Sequence, residues 1–266
     1  MREIQGNLIT VETLAEDLRR LGLLEGMTVL LHSSFKSLGE WVAGGPAAVI
    51  LALEQVLGEA GTLIMPTHTT DLTDPSGWCN PPVPKEWWDT IREQMPPYAP
   101  DLTLTRGMGI IPEAFRKQQG VRRSEHPLYS FAAWGKHADT VTAGHELSYG
   151  LGEGSPLGRL YDLDGMVLLL GVGHLNNTSM HLAEYRASYP GRKEVTAGAP
   201  VSEDGVRRWA RFADLEWNSD DFGEIGEDFE GEKGLIRHGL VAAAPAQLMS
   251  QRAIVDYAVH WMERRR

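Results

Sequence analysis

The sequence has little cysteine and no long apolar run. Cys79 is its one cysteine among 266 residues, which excludes an intrachain disulfide and a cysteine-based zinc cluster. No stretch approaches the roughly 20 consecutive apolar residues that a membrane-spanning helix needs. The first residues also lack the basic region followed by an apolar region that marks a signal peptide. We therefore expect a cytoplasmic protein with no membrane partner.

The sequence also lacks an excess of positive charge and several familiar catalytic patterns. With 25 Lys and Arg against 36 Asp and Glu, the formal net charge of −11 argues against a nucleic-acid partner and is compatible with a cationic small molecule. The phosphate-loop pattern Gly-x4-Gly-Lys-Ser/Thr and the hydrolase pattern Gly-x-Ser-x-Gly do not occur. His-Glu-x-x-His is absent as well, so no metal is expected.

Three short apolar runs are each followed by polar or small residues. Thr28–Leu31, Thr62–Met65 and Met166–Leu170 have the unbroken apolar character of strands that are buried on both faces. Open α/β sheets bind ligands beyond the carboxyl ends of their parallel strands. The residues that follow these runs are therefore expected to share one cleft. A hydrophobic content of 42% favours one α/β domain over residues 1–266, with a mostly parallel central sheet.

Other patterns predict the surrounding elements. Helices are predicted at Val11–Leu21, Pro46–Leu57 and Ala246–Glu263, a strand at Arg207–Trp217, and a helical acidic segment at Asn218–Phe229. Residues 71–104 are rich in proline and predict an irregular flap. The flap also carries three tryptophans, Trp78, Trp87 and Trp88, which either serve function or only pack the flap down.

The stretch Asp162–Ser188 carries the strongest functional signal. Gly171 and Gly173 let the backbone turn sharply after an apolar run, and the side chains that follow can cap a helix beginning near Thr178. A titratable ring in the first turns of such a helix favours His181 as a general base over a locally bonded structural histidine. His174, on the preceding loop, is the second candidate.

Three segments together resemble the aminoglycoside 3-N-acetyltransferase family. They are Val29–Gly39, Arg123–Pro127 and, most specifically, Gly171–Glu184. The resemblance covers nearly the whole chain. It implies a three-layer α/β/α fold distinct from the common acetyltransferase fold, acetyl-coenzyme A as donor, and transfer to the 3-amino group of a deoxystreptamine ring. It also implies that His181 is the general base in a ternary complex and that the loop Ser33–Ser37 contacts the coenzyme.

The catalytic roles around His181 follow from residue type and position. Asp214 and Glu216 lie on one face of the predicted strand and are the candidates for orienting the imidazole. Glu184 is expected to be too near on the same helix to reach the ring. Thr178, one turn before His181, is expected to hold the thioester sulfur.

The binding roles cover both substrates. Backbone N–H groups of Ser33 and Ser34 are expected to stabilise the oxyanion of acyl transfer. Coenzyme contacts are expected from Ser33, Ser34, Phe35, Lys36, Ser37, Met108, Arg123, Ser124 and His126. A cationic acceptor is expected to be held by the carboxylates of Asp71, Glu184, Asp220, Asp221 and Glu224.

Alternatives to this interpretation stay open. A serine hydrolase would use Ser33 or Ser124 with His181, although its usual pattern is missing. A metal-dependent protein would use His174, His181 and a carboxylate. Within the preferred class, the acceptor could be an amine that is not an antibiotic. A homodimer is left open.

Overall fold

Seven strands form one mixed sheet in the structure, a computed structural model that describes residues 7–39 and 41–266. The strands of the chain are β1 (Thr28–Ser33), β2 (Thr62–Pro66), β3 (Arg122–Arg123), β4 (Phe131–Gly135), β5 (Met166–Leu170), β6 (Glu194–Glu203), β7 (Val206–Leu215), β8 (Arg237–Val241) and β9 (Ala244–Ser250). The order in the sheet is β3-β4-β2-β1-β5-β9-β8, and β6 pairs with β7 in a separate hairpin. The first six residues, on which the signal-peptide expectation partly rests, lie outside the described residues.

Strand direction divides the sheet into a parallel centre and antiparallel edges. β1 lies between β2 and β5 and is parallel to both. At one edge β4 is antiparallel to β2 and to β3, and at the other β9 is antiparallel to β5 and to β8. Five of the seven strands therefore run in one direction, which confirms the predicted α/β class with a mostly parallel central sheet.

Helices pack on both faces of this sheet. They are α1 (Val11–Leu21), α2 (Pro46–Leu57), α3 (Trp88–Gln94), α4 (Ile110–Phe115), α5 (Ala138–Thr142), α6 (Pro156–Asp162), α7 (Ser179–Arg186), α8 (Phe222–Lys233) and α9 (Gln251–Arg265). In β1, Leu30 shares a hydrophobic cluster with Met180 of α7, whereas Leu31 shares the other cluster with Leu14 of α1 and Leu53 of α2. Because successive strand residues point to opposite faces, the two clusters lie on opposite sides of the sheet. Within the described residues, no helix is both long and apolar enough to cross a membrane.

Two predicted elements differ from the structure. The single helix predicted over Ala246–Glu263 is wrong, because its first five residues belong to β9. Leu248 and Met249 alternate between the two clusters, as strand residues do, and Ser250 then caps α9 by accepting from the Ala253 N–H at 3.3 Å. The acidic helix begins at Phe222 instead of at Asn218.

The hairpin of β6 and β7 was predicted only in its second strand. Its turn is Asp204-Gly205, with φ of 50° and 76°, and an Asp-Gly pair is a signal for a hairpin that the sequence already carries. β7 ends at Leu215, so Glu216 lies beyond the strand. The predicted alternation of Asp214 and Glu216 on one strand face therefore does not hold.

The segment 71–104 is mostly irregular, with α3 and short turns. Hydrogen bonds from Tyr98 and Arg207 fasten it to the hairpin. The Tyr98 N–H donates to Pro200 O at 3.1 Å, and Arg207 Nε donates to Met95 O at 3.0 Å.

Gly171, the residue after β5, has no room for a side chain. Its φ is +68°, and a Cβ at this position would lie 2.4 Å from Ser37 Cβ. Gly171→Ala should therefore lower the free energy of unfolding by about 2 kcal/mol, through backbone strain and displacement of Ser37. Urea unfolding followed by circular dichroism measures this change.

Gly173→Ala is the matched control, because Gly173 has a φ of −103° and no neighbouring atom within 4 Å of an added Cβ. It should change the free energy of unfolding by less than about 1 kcal/mol. Equal stabilities of the two variants would contradict the close contact at Gly171.

Candidate functional site

The carboxyl ends of β1, β2 and β5 open into one cleft. Its lining comes from the ends of these strands and from a facing segment: Leu31, His32, Ser33, Pro66, Gly107, Met108, Pro112, Val172, Asn176 and Thr178. The prediction that the three strand ends share one cleft is confirmed. Of the predicted site residues, Ser33, Met108 and Thr178 line it.

His181, in the first turn of α7, is paired with Glu184. Its Nδ1 lies 2.6 Å from Glu184 Oε2, and both side chains are buried. Residues three apart share a helix face, so the spacing brings the carboxylate directly beside the ring. The expectation that Glu184 could not reach His181 is therefore wrong. With Nδ1–H donating to the carboxylate, Nε2 keeps its lone pair.

Neither of the two carboxylates predicted to orient His181 contacts it. Asp214 Oδ1 accepts from Tyr185 Oη–H at 2.5 Å and from the Leu215 N–H at 2.9 Å. Glu216 is exposed and pairs with Lys193 at 3.0 Å. Burial raises the pKa of Asp214, and its hydrogen bond from Tyr185 opposes this shift. Its second oxygen, Oδ2, is buried without a hydrogen-bond partner among the described residues.

Glu184 receives donors from three parts of the chain. Besides His181, its Oε1 accepts from the Asn218 N–H at 2.8 Å and from Arg266 Nη1 at 2.6 Å. A buried ionised carboxylate is strongly unfavourable unless it is paired and hydrogen-bonded. These three donors therefore stabilise the charged carboxylate next to the imidazole.

Two further histidines close to His181 were not singled out from the sequence. Burial, assisted by the charge of His181, lowers the pKa of His32 and of His68 to about 3. Both rings are therefore neutral near pH 7. Within the described part of the chain, neither Nε2 atom has a hydrogen-bond partner. The available signal was their position just after the apolar runs that form β1 and β2.

The predicted coenzyme loop begins at the cleft. Ser33 Oγ is buried and has no hydrogen-bond partner among the described residues. Residues Phe35–Leu38 form a 3₁₀ turn, whose first N–H groups have no acceptor within the turn. Lys36, in this turn, is exposed. The loop thus offers a hydroxyl, backbone N–H groups and one ammonium group.

Two serines of this loop are used within the protein. The Ser34 N–H donates to Leu170 O at 2.9 Å, so the prediction that it stabilises an oxyanion is wrong. Ser37 Oγ donates to Gly171 O at 3.1 Å. Both bonds tie the loop to the end of β5.

Arg123, predicted to contact the coenzyme, instead holds the flap to the end of β2. Its Nη1 donates to Pro100 O at 2.8 Å and to Thr103 O at 2.6 Å. Its Nη2 donates to Thr67 O at 2.8 Å, and its Nε lies 3.1 Å from Ser130 Oγ. Every nitrogen of the guanidinium group is thus engaged by protein acceptors, which replaces the phosphate-binding interpretation.

Ser124 and His126, also predicted to contact the coenzyme, are buried in the turn before β4. Ser124 Oγ lies 2.9 Å from His145 Nδ1, and His126 Nδ1 accepts from the Leu128 and Tyr129 N–H groups at 3.0 Å. Their polar atoms shape this turn, so the coenzyme interpretation is corrected for both. Because Ser124 is bonded to His145, a serine hydrolase that pairs Ser124 with His181 is not assembled.

The five carboxylates predicted to hold a cationic acceptor do not form one open pocket. Glu184 and Asp221 meet at Arg266, whose Nη2 lies 2.6 Å from Asp221 Oδ1. Asp220 is exposed beside them. The negative charge of this group is therefore partly neutralised by a protein side chain.

The other two predicted acceptor carboxylates have their own partners. Glu224 pairs with Arg265 at 2.8 Å, and Asp71, the first residue of the flap, pairs with Arg106 at 3.4 Å. All four side chains are exposed, so these pairs add little stability.

His174, the second candidate base, lies outside the cleft. Its ring packs against Gly226 of α8, where an added Cβ would lie 2.2 Å from the ring. Burial lowers the pKa of His174 to about 4, opposed by the carboxylate of Glu230 and assisted by His238. Over residues 7–39 and 41–266, no group of three or more His, Cys, Asp or Glu side chains is placed to hold a metal ion.

Comparison with known proteins identifies similar chains. The family model described as aminoglycoside 3-N-acetyltransferase matches residues 30–263. The SPbeta prophage-derived aminoglycoside N(3')-acetyltransferase-like protein YokD of Bacillus subtilis is 49% identical, over 95% of this chain and 92% of that protein. Aminoglycoside N(3)-acetyltransferase VII of Streptomyces paromomycinus is 38% identical, over 96% of this chain and 92% of that protein.

Solved structures show the same similarity. The crystal structure of YokD from Bacillus subtilis matches with a TM-score of 0.95 at 46% identity, covering 98% of this chain and 96% of that chain. The binary complex of AAC-IIIb with CoASH matches with a TM-score of 0.86 at 33% identity, covering 97% and 98% of the two chains. AAC-VIa bound to sisomicin matches with a TM-score of 0.88 at 28% identity, covering 97% and 99%.

Burial of His174 makes stability depend on pH. The pKa of its ring is about 4 in the folded protein against an ordinary value of 6.5, so the unfolded chain binds more protons between these values and stability falls as pH falls through this window. In His174→Gln, the loss of unfolding free energy between about pH 7 and 5 should be smaller than in the wild type by about 2 kcal/mol. Urea unfolding at both pH values measures it.

His260→Gln is the control, because His260 is exposed on α9. This variant should keep the pH dependence of the wild type. An unchanged pH dependence in His174→Gln would show that His174 is not held neutral by burial.

Proposed function

Because the chain belongs to the aminoglycoside 3-N-acetyltransferase family, a family of acyltransferases, we propose that it transfers an acetyl group from acetyl-coenzyme A to the 3-amino group of an aminoglycoside. The observation that carries the proposal is the buried His181–Glu184 pair, with a distance of 2.6 Å between Nδ1 and Oε2. The relatives solved with CoASH and with sisomicin support the donor and the acceptor class.

The reaction needs a base, and His181 is suited to this role. An aminoglycoside amine is mostly protonated near neutral pH and must lose a proton for its nitrogen to attack the thioester carbonyl. Nε2 of His181 accepts that proton, while the carboxylate of Glu184 stabilises the imidazolium ion that forms. The N–C bond forms, the C–S bond breaks, and the leaving sulfur takes up the second proton that the nitrogen loses as the amide forms, which gives the free thiol.

The ring of His181 is held between aromatic side chains. The ring centroid of Trp217 lies 4.5 Å from that of His181, and the centroid of Phe222 lies 4.9 Å away. Such packing restricts rotation of the imidazole and keeps Nε2 in one direction. It supports a fixed general base.

The cleft has properties that suit the donor. Its lining combines apolar side chains such as Met108 and Val172 with the unengaged hydroxyl group of Ser33. In this proposal the pantetheine arm lies along these residues, the 3₁₀ turn and Lys36 hold phosphate groups, and Thr178 lies near the sulfur. Backbone N–H groups and an ammonium group are the donors that phosphates prefer.

On the acceptor side, Asp214 replaces Asp221 and Glu184 as the proposed contact to a substrate ammonium group. It is close enough to His181 for their charges to interact. Burial raises the pKa of Asp214, and a bound cation would oppose this shift by stabilising the ionised carboxylate. Its Oδ2 atom has no partner among the residues that the structure describes.

Release of coenzyme A tests the proposed reaction. The purified protein, acetyl-coenzyme A and aminoglycosides with and without a 3-amino group are combined, and free thiol is measured. Thiol release should require an acceptor with the 3-amino group, because that nitrogen is the nucleophile. Release without any amine would indicate a hydrolase, and release with every amine would indicate a different acceptor specificity.

In the same assay, His181→Ala should lower turnover by roughly two to four orders of magnitude, the usual effect of losing a general base. Coenzyme affinity measured by calorimetry should stay the same, because the cleft lining is unchanged. His260→Ala, at an exposed position, should keep normal turnover. If the turnover of His181→Ala stayed within about threefold of the wild type, His181 would not be the general base.

A further inference from the structure

The guanidinium group of Arg266 has five N–H groups, and the structure provides an acceptor for each. Nε and Nη2 bind the two oxygens of Asp221 at 2.7 and 2.6 Å, and Nη2 also donates to Asn218 O at 2.7 Å. Nη1 donates to Glu184 Oε1 at 2.6 Å and to Tyr189 Oη at 3.3 Å. A planar guanidinium group that donates a hydrogen bond from every N–H group is held in one orientation.

Arg266 supplies the positive charge next to Glu184. The Glu184 side chain is 0% exposed, and its other donors are the Asn218 N–H and His181 Nδ1. Among the described residues, Arg266 is the one Lys or Arg that contacts this carboxylate. An ionised carboxylate buried without an opposing charge is unfavourable, and it becomes stable by taking up a proton.

Protonation of Glu184 would reverse its hydrogen bond to His181. A carboxylic acid O–H would donate to Nδ1, and the ring proton would then lie on Nε2. Nε2 is the atom that must accept the proton of the amine. We therefore propose that Arg266 is a positioning residue, which acts through Glu184 to keep the proton of His181 on Nδ1 and the lone pair on Nε2. The catalytic consequence rests on the proposed function.

The contacts favour positioning over competition with a cationic acceptor. The side chain of Arg266 is 12% exposed, and its guanidinium carbon lies 5.2 Å from the centre of the Tyr189 ring. Displacement by a substrate ammonium group would leave buried N–H groups without acceptors, which is costly. Arg266 thus belongs to the wall of the site.

The other titratable groups that face His181 cannot replace this charge. Asp214, on β7, adds negative charge. His32 and His68, at the ends of β1 and β2, are neutral near pH 7, because burial lowers the pKa of each to about 3. The positive charge behind the pair therefore comes from Arg266.

Two substitutions separate charge from volume. Arg266→Gln removes the charge and keeps much of the side chain, whereas Arg266→Lys keeps a charge that can reach Glu184. The ¹⁵N resonances of the His181 ring report which nitrogen carries the proton. At pH 7 the wild type and Arg266→Lys should show the proton on Nδ1, and Arg266→Gln should show it on Nε2.

The kinetics should distinguish Arg266→Gln from the wild type and from Arg266→Lys in the same way. Arg266→Gln should lower kcat by about tenfold or more at neutral pH with little change in KM, because the base is lost from a fraction of molecules. Guanidinium chloride, well below concentrations that unfold the protein, should restore turnover in Arg266→Ala.

Arg265→Ala is the matched control, because Arg265 pairs with Glu224 and Asp228 and is 53% exposed. It should leave the ring resonances and kcat unchanged. An unaltered His181 ring in Arg266→Gln, or a higher kcat/KM for aminoglycosides, would overturn the inference. The ring resonances are measured without acetyl transfer. Failure of the proposed function would instead appear as absent thiol release in the wild type.

Discussion

The buried carboxylate of Glu184 is the interaction on which the site depends. It joins His181 of α7, the Asn218 N–H before α8 and the guanidinium group of Arg266 after α9. A buried charge without partners destabilises a protein by several kcal/mol. Because the carboxylate needs all three donors, the three segments are held in one arrangement. The orientation of the imidazole is thus determined by contacts between segments that lie far apart in sequence.

The cleft and the His181–Glu184 pair are built by different parts of the fold. The cleft uses the ends of the parallel strands, where backbone and small side chains leave an open groove. The imidazole of His181 lies on α7 and contacts the segments around α8 and α9 through Glu184, and these helices pack on one face of the sheet.

Much of the central sheet could be predicted from the sequence, because strands buried on both faces produce unbroken apolar runs. β5 matches its predicted range, and the shared cleft follows from topology. The edge of the sheet formed by β9 and β8 was harder to predict, because the apolar residues of β9 continue without a break into the amphipathic pattern of α9. β8 was missed because most of its residues are exposed and give no apolar run.

The site itself was predicted unevenly. The spacing of His181 and Glu184 was visible, and underestimating its reach caused the wrong choice of Asp214 and Glu216. Ser124 and His126 show that polar residues in a motif can stabilise a turn of the protein instead of binding a ligand. The contact of Arg266 with Glu184 joins residues 82 positions apart, and no local pattern indicates such a contact.

Arg123 determines how firmly the flap is held to the end of β2. Lifting the flap would break the bonds from Nη1 to Pro100 O and Thr103 O. Hydrogen bonds from a charged group contribute about 1.5–3 kcal/mol each, so the lifted form would make up less than about 1% of molecules. Arg123 therefore keeps this end of the flap against the end of β2 in nearly all molecules.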